Sequence, residues 1–350
     1  MDTGGGGGVE GTGGAGASPA EQGRRAGLVV VPAPPPRRRP LVAPPAPSAE
    51  LLVALASAGA NVRIAEPLGR HTSFRIGGPA DVFIEVASQP ELMGILRACV
   101  AHATPVFFLG GGTNLLVSDR GARGVVVKLG KPFDFVEWNL GGDVARLRVG
   151  AAVPFKRLVS QTVAEGFAGL EFGEGIPGTV GGGLLMNAGA FGGEIGRVVD
   201  ALEVVTDRGD ALVLPRDRLD FAYRRLDLPT RAIVTAVRVT LRRGEPAVLA
   251  TAVREAKARR DRHQPKGHPN AGSIFKNPPG QPAGKLLEAV GLKGARLGNA
   301  MVSLRHANFI VNLGGARASD VKGLMDLAAR VVRQRLGVEL EPEVRLVGDW

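Results

Sequence analysis

Beyond residue 48 the chain alternates between two hydrophobic periods. Short runs that are continuously apolar, or apolar at every second position, predict strands at 81–86, 105–109, 124–129, 144–149, 201–206, 211–214 and 232–241. Segments with apolar residues at helical spacing predict helices at 90–102, 155–165, 247–262, 284–290 and 319–336. The helix at 155–165 stops before Gly166, a residue suited to the position just past a helix end. Asp207-Arg-Gly-Asp210 reads as the hairpin turn between two of the strands. Further strands are expected at 301–304, 308–311 and 338–347. Strands and helices mix in every segment, which gives an α+β or α/β class.

Two glycine clusters interrupt this alternation. The strand at 105–109 runs into Gly110-Gly-Gly-Thr-Asn-Leu-Leu-Val-Ser118. Such a turn can converge backbone N–H groups on a phosphate. It matches neither the dinucleotide nor the Walker glycine pattern. The second cluster spans 173–194 and holds nine glycines in 22 residues, interspersed with Ile, Val, Leu, Met and Phe. Flexible linkers pair glycine with serine instead. Glycine at this density in an apolar stretch lets backbone approach a large, flat or phosphorylated ligand closely.

Composition narrows the classes. The first 48 residues are Gly-rich, then Pro/Arg-rich, and cannot bury a core. No signal-peptide h-region and no 18-residue apolar run is present in the sequence. The single cysteine, Cys99, excludes an internal disulfide and any cysteine-rich metal site, and the five histidines show no paired metal spacing. No metal is expected. The net charge of +11 falls almost wholly after residue 50, since the segment before Leu51 carries five Arg and four acids. Only three Trp and Tyr residues are available, too few for stacking on single strands, so small anionic substrates are favoured over nucleic acid.

The ordered motifs resemble the UDP-N-acetylenolpyruvoylglucosamine reductase family. They are His71-Thr-Ser-Phe-Arg-Ile-Gly-Gly-Pro-Ala-Asp81, Leu109-Gly-Gly-Gly-Thr-Asn-Leu-Leu116, Gly175-Ile-Pro-Gly-Thr-Val-Gly-Gly182, Met186-Asn-Ala-Gly-Ala-Phe-Gly-Gly-Glu194, Phe221-Ala-Tyr-Arg224, Asn270-Ala-Gly-Ser-Ile-Phe-Lys-Asn-Pro278 and Leu340-Glu-Pro-Glu-Val344. Each is weak alone; seven in family order are specific.

The resemblance favours α+β and implies a three-domain flavoenzyme with a vanillyl-alcohol-oxidase-type FAD-binding domain and a separate α/β substrate domain. Carried onto this chain, 1–48 is a disordered tail, 49–118 and 119–244 are FAD-binding subdomains, 245–337 binds substrate, and 338–350 returns as a strand to the active site. The implied non-covalent FAD contacts are Gly110, Gly111, Gly112, Thr113, Asn114, Leu115, Gly175, Ile176, Pro177, Gly178, Thr179, Gly181, Gly182, Asn187 and Gly189. His71 is the one conspicuous candidate for covalent flavin attachment and is read as structural. The implied catalytic residues are Arg224, Ser273 and Glu343, with Tyr223, Lys276 and Asn277 on the substrate.

The implied reaction is NADPH-dependent reduction of UDP-N-acetylglucosamine enolpyruvate by a cytoplasmic monomer without a membrane or nucleic-acid partner. Phe191 replaces a tyrosine common in the family, and His263 stands where some members place a phosphate-binding lysine. Only seven residues, 225–231, separate the Tyr-Arg motif from the next strand, which matches the short-loop type II subfamily. Another FAD-dependent sugar or alcohol oxidoreductase of the superfamily would share the glycine loops without needing the Ser273 and Glu343 motifs. A flavin-binding module without catalysis would not need Arg224, Ser273 and Glu343 together.

Overall fold

The computed structural model describes residue 1 and residues 47–350. The expected tail at 1–48 therefore lies almost wholly outside the described residues.

Continuous apolar runs build the first sheet. Its strands are ordered Val62–Pro67, Pro79–Val86, Ala122–Leu129, Val106–Leu109. The last three run parallel, and the first pairs antiparallel to the second. Parallel strands are covered on both faces, which is why Val82, Phe83, Ile84, Val125, Val126 and Val127 are all buried. Helices Ala49–Ser57 and Gln89–Ala101 supply one cover. Ser88 caps the second helix, its hydroxyl accepting from Glu91 N at 3.2 Å. Cys99 is buried in that layer, and burial pushes its thiol up to about 11.

The second sheet is antiparallel. Its main path is Ala211–Pro215, Val199–Thr206, Ala232–Arg243, Val144–Gly150, Val136–Gly141. Helices Phe155–Ala164 and Val180–Leu185 close its inner face around Leu147, Val149, Leu158, Val180, Leu184 and Val237.

A third layer follows the charged helix Pro246–His263. The strands Arg296–Leu297, Ala300–Val302 and Ile310–Asn312 pack with helices Ala283–Ala289 and Ala318–Leu336. Its core also takes in Phe74, Ile76 and Leu116 from the front of the chain. Asp119 adds a polar tie: its two carboxylate oxygens accept from Ala318 N at 2.7 Å and Ser319 N at 3.1 Å, capping the long helix from outside.

Three expectations need correction. The strand expected over 338–347 is ordered as strand only at Arg345–Val347, parallel to Leu115–Val117. Pro342 has no N–H to give a ladder, and the segment before Val344 makes a single bridge, Phe275 with Pro342. The second glycine run is not all loop, because Val180–Leu185 is helical, with Thr179 Oγ1 accepting from Gly182 N at 3.4 Å. The largely exposed strands Val136–Gly141 and Val62–Pro67 carry weak apolar patterns, and the Ser48-capped helix Ala49–Ser57 was missed beside the Pro-rich segment.

Candidate active site

The two glycine clusters, 60 and more residues apart in sequence, meet backbone to backbone. A methyl group placed on Gly111 would lie 2.7 Å from Gly178 Cα. Gly178 itself sits at φ +108°, where L side chains rarely go. Thr113 Oγ1 donates to Pro177 O at 3.4 Å across the same junction. Gly110, Gly111, Gly175 and Pro177 remain exposed, so a strip of backbone nearly free of side chains lies open. This strip suits a flat, phosphate-bearing group such as FAD, with its N–H groups available to anionic oxygens.

Not every expected cofactor residue turns a side chain to that strip. Leu115 is a buried strand residue. Asn187 is buried, with Nδ2 donating to Ala222 O at 3.1 Å and Oδ1 accepting from Gly196 N at 3.1 Å. It therefore ties the glycine run to the hairpin Asp220–Ala222 with Arg225–Asp227.

Tyr223 and Arg224 form the tip of that hairpin. Arg224 has φ +57°, and Asn187 and Phe191 nearby also have positive φ. Non-glycine residues held in this region cost backbone energy, and such strain concentrates at functional sites. Arg224 Nη1 donates to Gly189 O at 3.2 Å, and its Nε donates to Glu343 Oε1 at 2.7 Å. The guanidinium is 22% exposed and the carboxylate 15%, so the pair is largely shielded but reachable.

Glu343 is held by main chain as well. Its N donates to Ile274 O at 2.7 Å, and Lys276 N donates to Glu341 O at 2.9 Å. These bonds lay 341–344 against 274–276, so Ser273, half-buried, stands one residue from Glu343's backbone anchor. Burial pushes the Glu343 carboxyl above its ordinary range, with Arg224 and then Lys276 pulling against it. Lys276 pairs with Glu341 through Nζ. Asn277 N donates to Tyr223 Oη at 3.5 Å, while its side-chain oxygen accepts from Ala283 N at 2.9 Å. Arg224, Ser273, Glu343, Tyr223, Lys276 and Asn277 thus come from three distant segments to one place.

Arg260 was missed by the sequence reading. It is half-buried beside Gly175, its buried Nε has no hydrogen-bond partner among the described residues, and desolvation lowers its pKa. Glu174 pulls that pKa up, and Arg224 pushes it down. Arg259 and Arg260 flank the Phe191 ring at 5.2 and 5.8 Å. Beyond Phe191 a groove of about 910 Å³ runs between 191–198 and the helix Pro246–His263, lined in part by Arg197, Arg254, Arg259 and Arg262. The cluster Lys257-Ala-Arg-Arg-Asp-Arg262 was visible in the sequence, but the helix has no apolar stripe to say which arginine turns inward. His71 hydrogen-bonds Glu66 at 2.7 Å and stacks on Phe83, both contacts within the first domain.

The glycine strip and the sheets around it form an FAD-binding domain that carries an added C-terminal domain. A family model described as FAD binding domain matches residues 80–214. One described as UDP-N-acetylenolpyruvoylglucosamine reductase, C-terminal domain, matches residues 264–347. The chain is 48% identical over 303 residues to UDP-N-acetylenolpyruvoylglucosamine reductase 2 of Symbiobacterium thermophilum, covering 86% of this chain and 97% of that protein. The Syntrophotalea carbinolica reductase is 44% identical over 288 residues, covering 82% and 95%. The solved reductase from Thermus caldophilus aligns with a TM-score of 0.70 at 38% identity, over 82% of this chain and 98% of that one. The chain belongs to the UDP-N-acetylenolpyruvoylglucosamine reductase family, FAD-dependent oxidoreductases of peptidoglycan precursor synthesis.

Proposed function

We propose that this chain reduces UDP-N-acetylglucosamine enolpyruvate to UDP-N-acetylmuramate with NADPH as reductant. The carrying observation is the Arg224–Glu343 pair, joined by hydrogen bonds to both the second glycine run and the Ser273 segment. Residues 110–115 and 175–189 would hold FAD non-covalently, and the bound flavin would supply hydride-transfer chemistry between NADPH and the enolpyruvyl C3. The chain's own residues handle the charge and the proton that follow.

Negative charge develops at C2 and on the attached carboxylate. Arg224, fixed at a strained hairpin tip, offers a guanidinium already in place for it. Ser273 gives its hydroxyl proton to C2 and regains one from solvent, so one hydride and one proton are added to the double bond. Glu343, pushed toward its protonated form by burial, holds Arg224 in register and can share a proton with the developing enolate. Arg260 supports the reading as a second desolvated cation beside Gly175, suited to an anionic substrate. Tyr223, Lys276 and Asn277 line the approach.

In this reading 49–118 and 119–244 hold FAD, 245–337 holds the nucleotide sugar, and 338–350 delivers Glu343. The reaction runs in the cytoplasm, where its nucleotide substrates are, and the chain acts as a monomer. The test is to purify the full chain, release flavin by denaturation, and follow NADPH oxidation with and without the enolpyruvyl substrate. Free FAD and substrate-dependent NADPH oxidation are expected. Flavin that stays on the precipitated protein, or oxidation of simple sugars or alcohols in its place, overturns the reading.

A further inference from the structure

Asn114 ends the first glycine loop, yet its side-chain nitrogen is spent elsewhere. Nδ2 donates to Glu343 O at 3.0 Å. The Asn114 carbonyl accepts from Arg345 N at 3.0 Å, and Arg345 then opens the parallel pairing with Leu115. Both bonds clasp the same stretch of the returning chain, one on each side of Val344. That stretch carries the Glu343 carboxylate that Arg224 engages.

Without this clasp the stretch would be poorly determined. Pro342 denies it a ladder bond, and regular pairing resumes only at Arg345. On its other flank, Glu343 N and Val344 N both rely on the single Ile274 carbonyl, at 2.7 and 3.3 Å. Asn114 therefore fixes the height of Glu343 relative to the cofactor loop from the opposite side.

We infer that Asn114 is a positioning residue for substrate reduction: it registers Glu343, and through it Arg224, against the cofactor loop. This rests on the reaction proposed above. An Asn suits the task because its amide donates to a carbonyl, whereas Asp at neutral pH has nearly the same shape and no donor. The ionised Asp would also face the Glu343 carbonyl oxygen with a repelling charge.

The test compares wild type, Asn114→Asp, Glu343→Gln and the double variant, all at saturating FAD, with Asn114→Ala in reserve should the Asp variant not fold. Flavin content, melting temperature, and the two half-reactions by rapid mixing are measured across pH. At saturating FAD the Asn114→Asp protein is expected to be reduced by NADPH at near the wild-type rate, whatever the change in its flavin affinity. Its transfer to the enolpyruvyl substrate slows at least ~10-fold, the cost of a small misplacement of a catalytic group. The pH dependence that Glu343→Gln abolishes is shifted in the Asn114→Asp protein, and the double variant is no slower than Glu343→Gln alone.

Wild-type substrate transfer with an unshifted pH profile overturns the inference. So does a defect confined to FAD affinity, or full additivity of the two substitutions. Failure of the wild-type enzyme to turn over the enolpyruvyl substrate would sink the proposed reaction itself, a different outcome from an unaltered variant of an active enzyme.

Discussion

Two arginine–glutamate pairs in this molecule look alike in sequence and differ in every physical respect. Arg148 and Glu203 face each other on the antiparallel sheet, with Nε–Oε1 and Nη2–Oε2 both at 2.9 Å. Arg238 and Glu137 complete a network there, all on regular strands. Arg148 and then Arg238 hold Glu203 below the ordinary carboxylate range. Arg224 and Glu343 make one bond at 2.7 Å, from a positive-φ hairpin tip to an irregular segment. There, burial outweighs the single arginine and Glu343 is pushed up. The first arrangement satisfies its charges and leaves nothing for a ligand. The second keeps an arginine and a carboxyl short of partners, which is what a charged substrate needs.

Removing each arginine in turn separates the two sites. Arg224→Ala is expected to slow reduction of the enolpyruvyl substrate by ~10²–10³-fold, the usual loss for one preorganised charge-stabilising donor. Arg148→Ala is expected to leave kcat unchanged and to lower the melting temperature, because it removes the bidentate partner of the largely shielded Glu203 and leaves that carboxylate to Arg238. Steady-state kinetics and thermal melts on both proteins check this; equal kinetic defects would erase the distinction. A smaller effect is expected from Arg260→Ala. Loss of that cation should raise KM for the nucleotide sugar by ~10-fold or more, in the range of a hydrogen bond to a charged group.

The two glutamates give the smallest and most discriminating effect, because their signs are opposite. Glu203, lowered in the folded state, contributes stability above the ordinary carboxylate range that is lost as pH falls through its lowered value. Glu343, raised, contributes stability at acid pH that is lost as pH climbs from the ordinary range through its raised value. Melting profiles against pH should therefore lose acid-side steepness in Glu203→Gln and lose the decline above the ordinary range in Glu343→Gln. The same slope change in both variants would contradict the assigned directions.

The contrast also shows what the sequence could say. Strands such as Val199–Thr206 and Ala232–Arg243 were legible because their apolar runs, most of them buried, are short, β-branched and bounded by turn residues. Arg224, Ser273 and Glu343 were legible only through ordered motifs, since nothing periodic marks a hairpin tip or a segment broken by Pro342. Helix Val180–Leu185 was hidden because glycine is a poor helix former, and Thr179 together with packing on Ala151 carries it instead. The inward turn of Arg260 and the Asn114 clasp depend on tertiary contacts that no local pattern encodes.

The central claim is that Ser273, Arg224 and Glu343 serve the transfer to substrate and not the loading of the cofactor. Rapid mixing of the Ser273→Ala protein tests it most directly, by timing flavin reduction by NADPH and then flavin reoxidation by the enolpyruvyl substrate. The account predicts near wild-type reduction and a reoxidation slowed by ~10²–10⁴-fold, the contribution of a general acid. Equal slowing of both steps, or wild-type reoxidation, would contradict it.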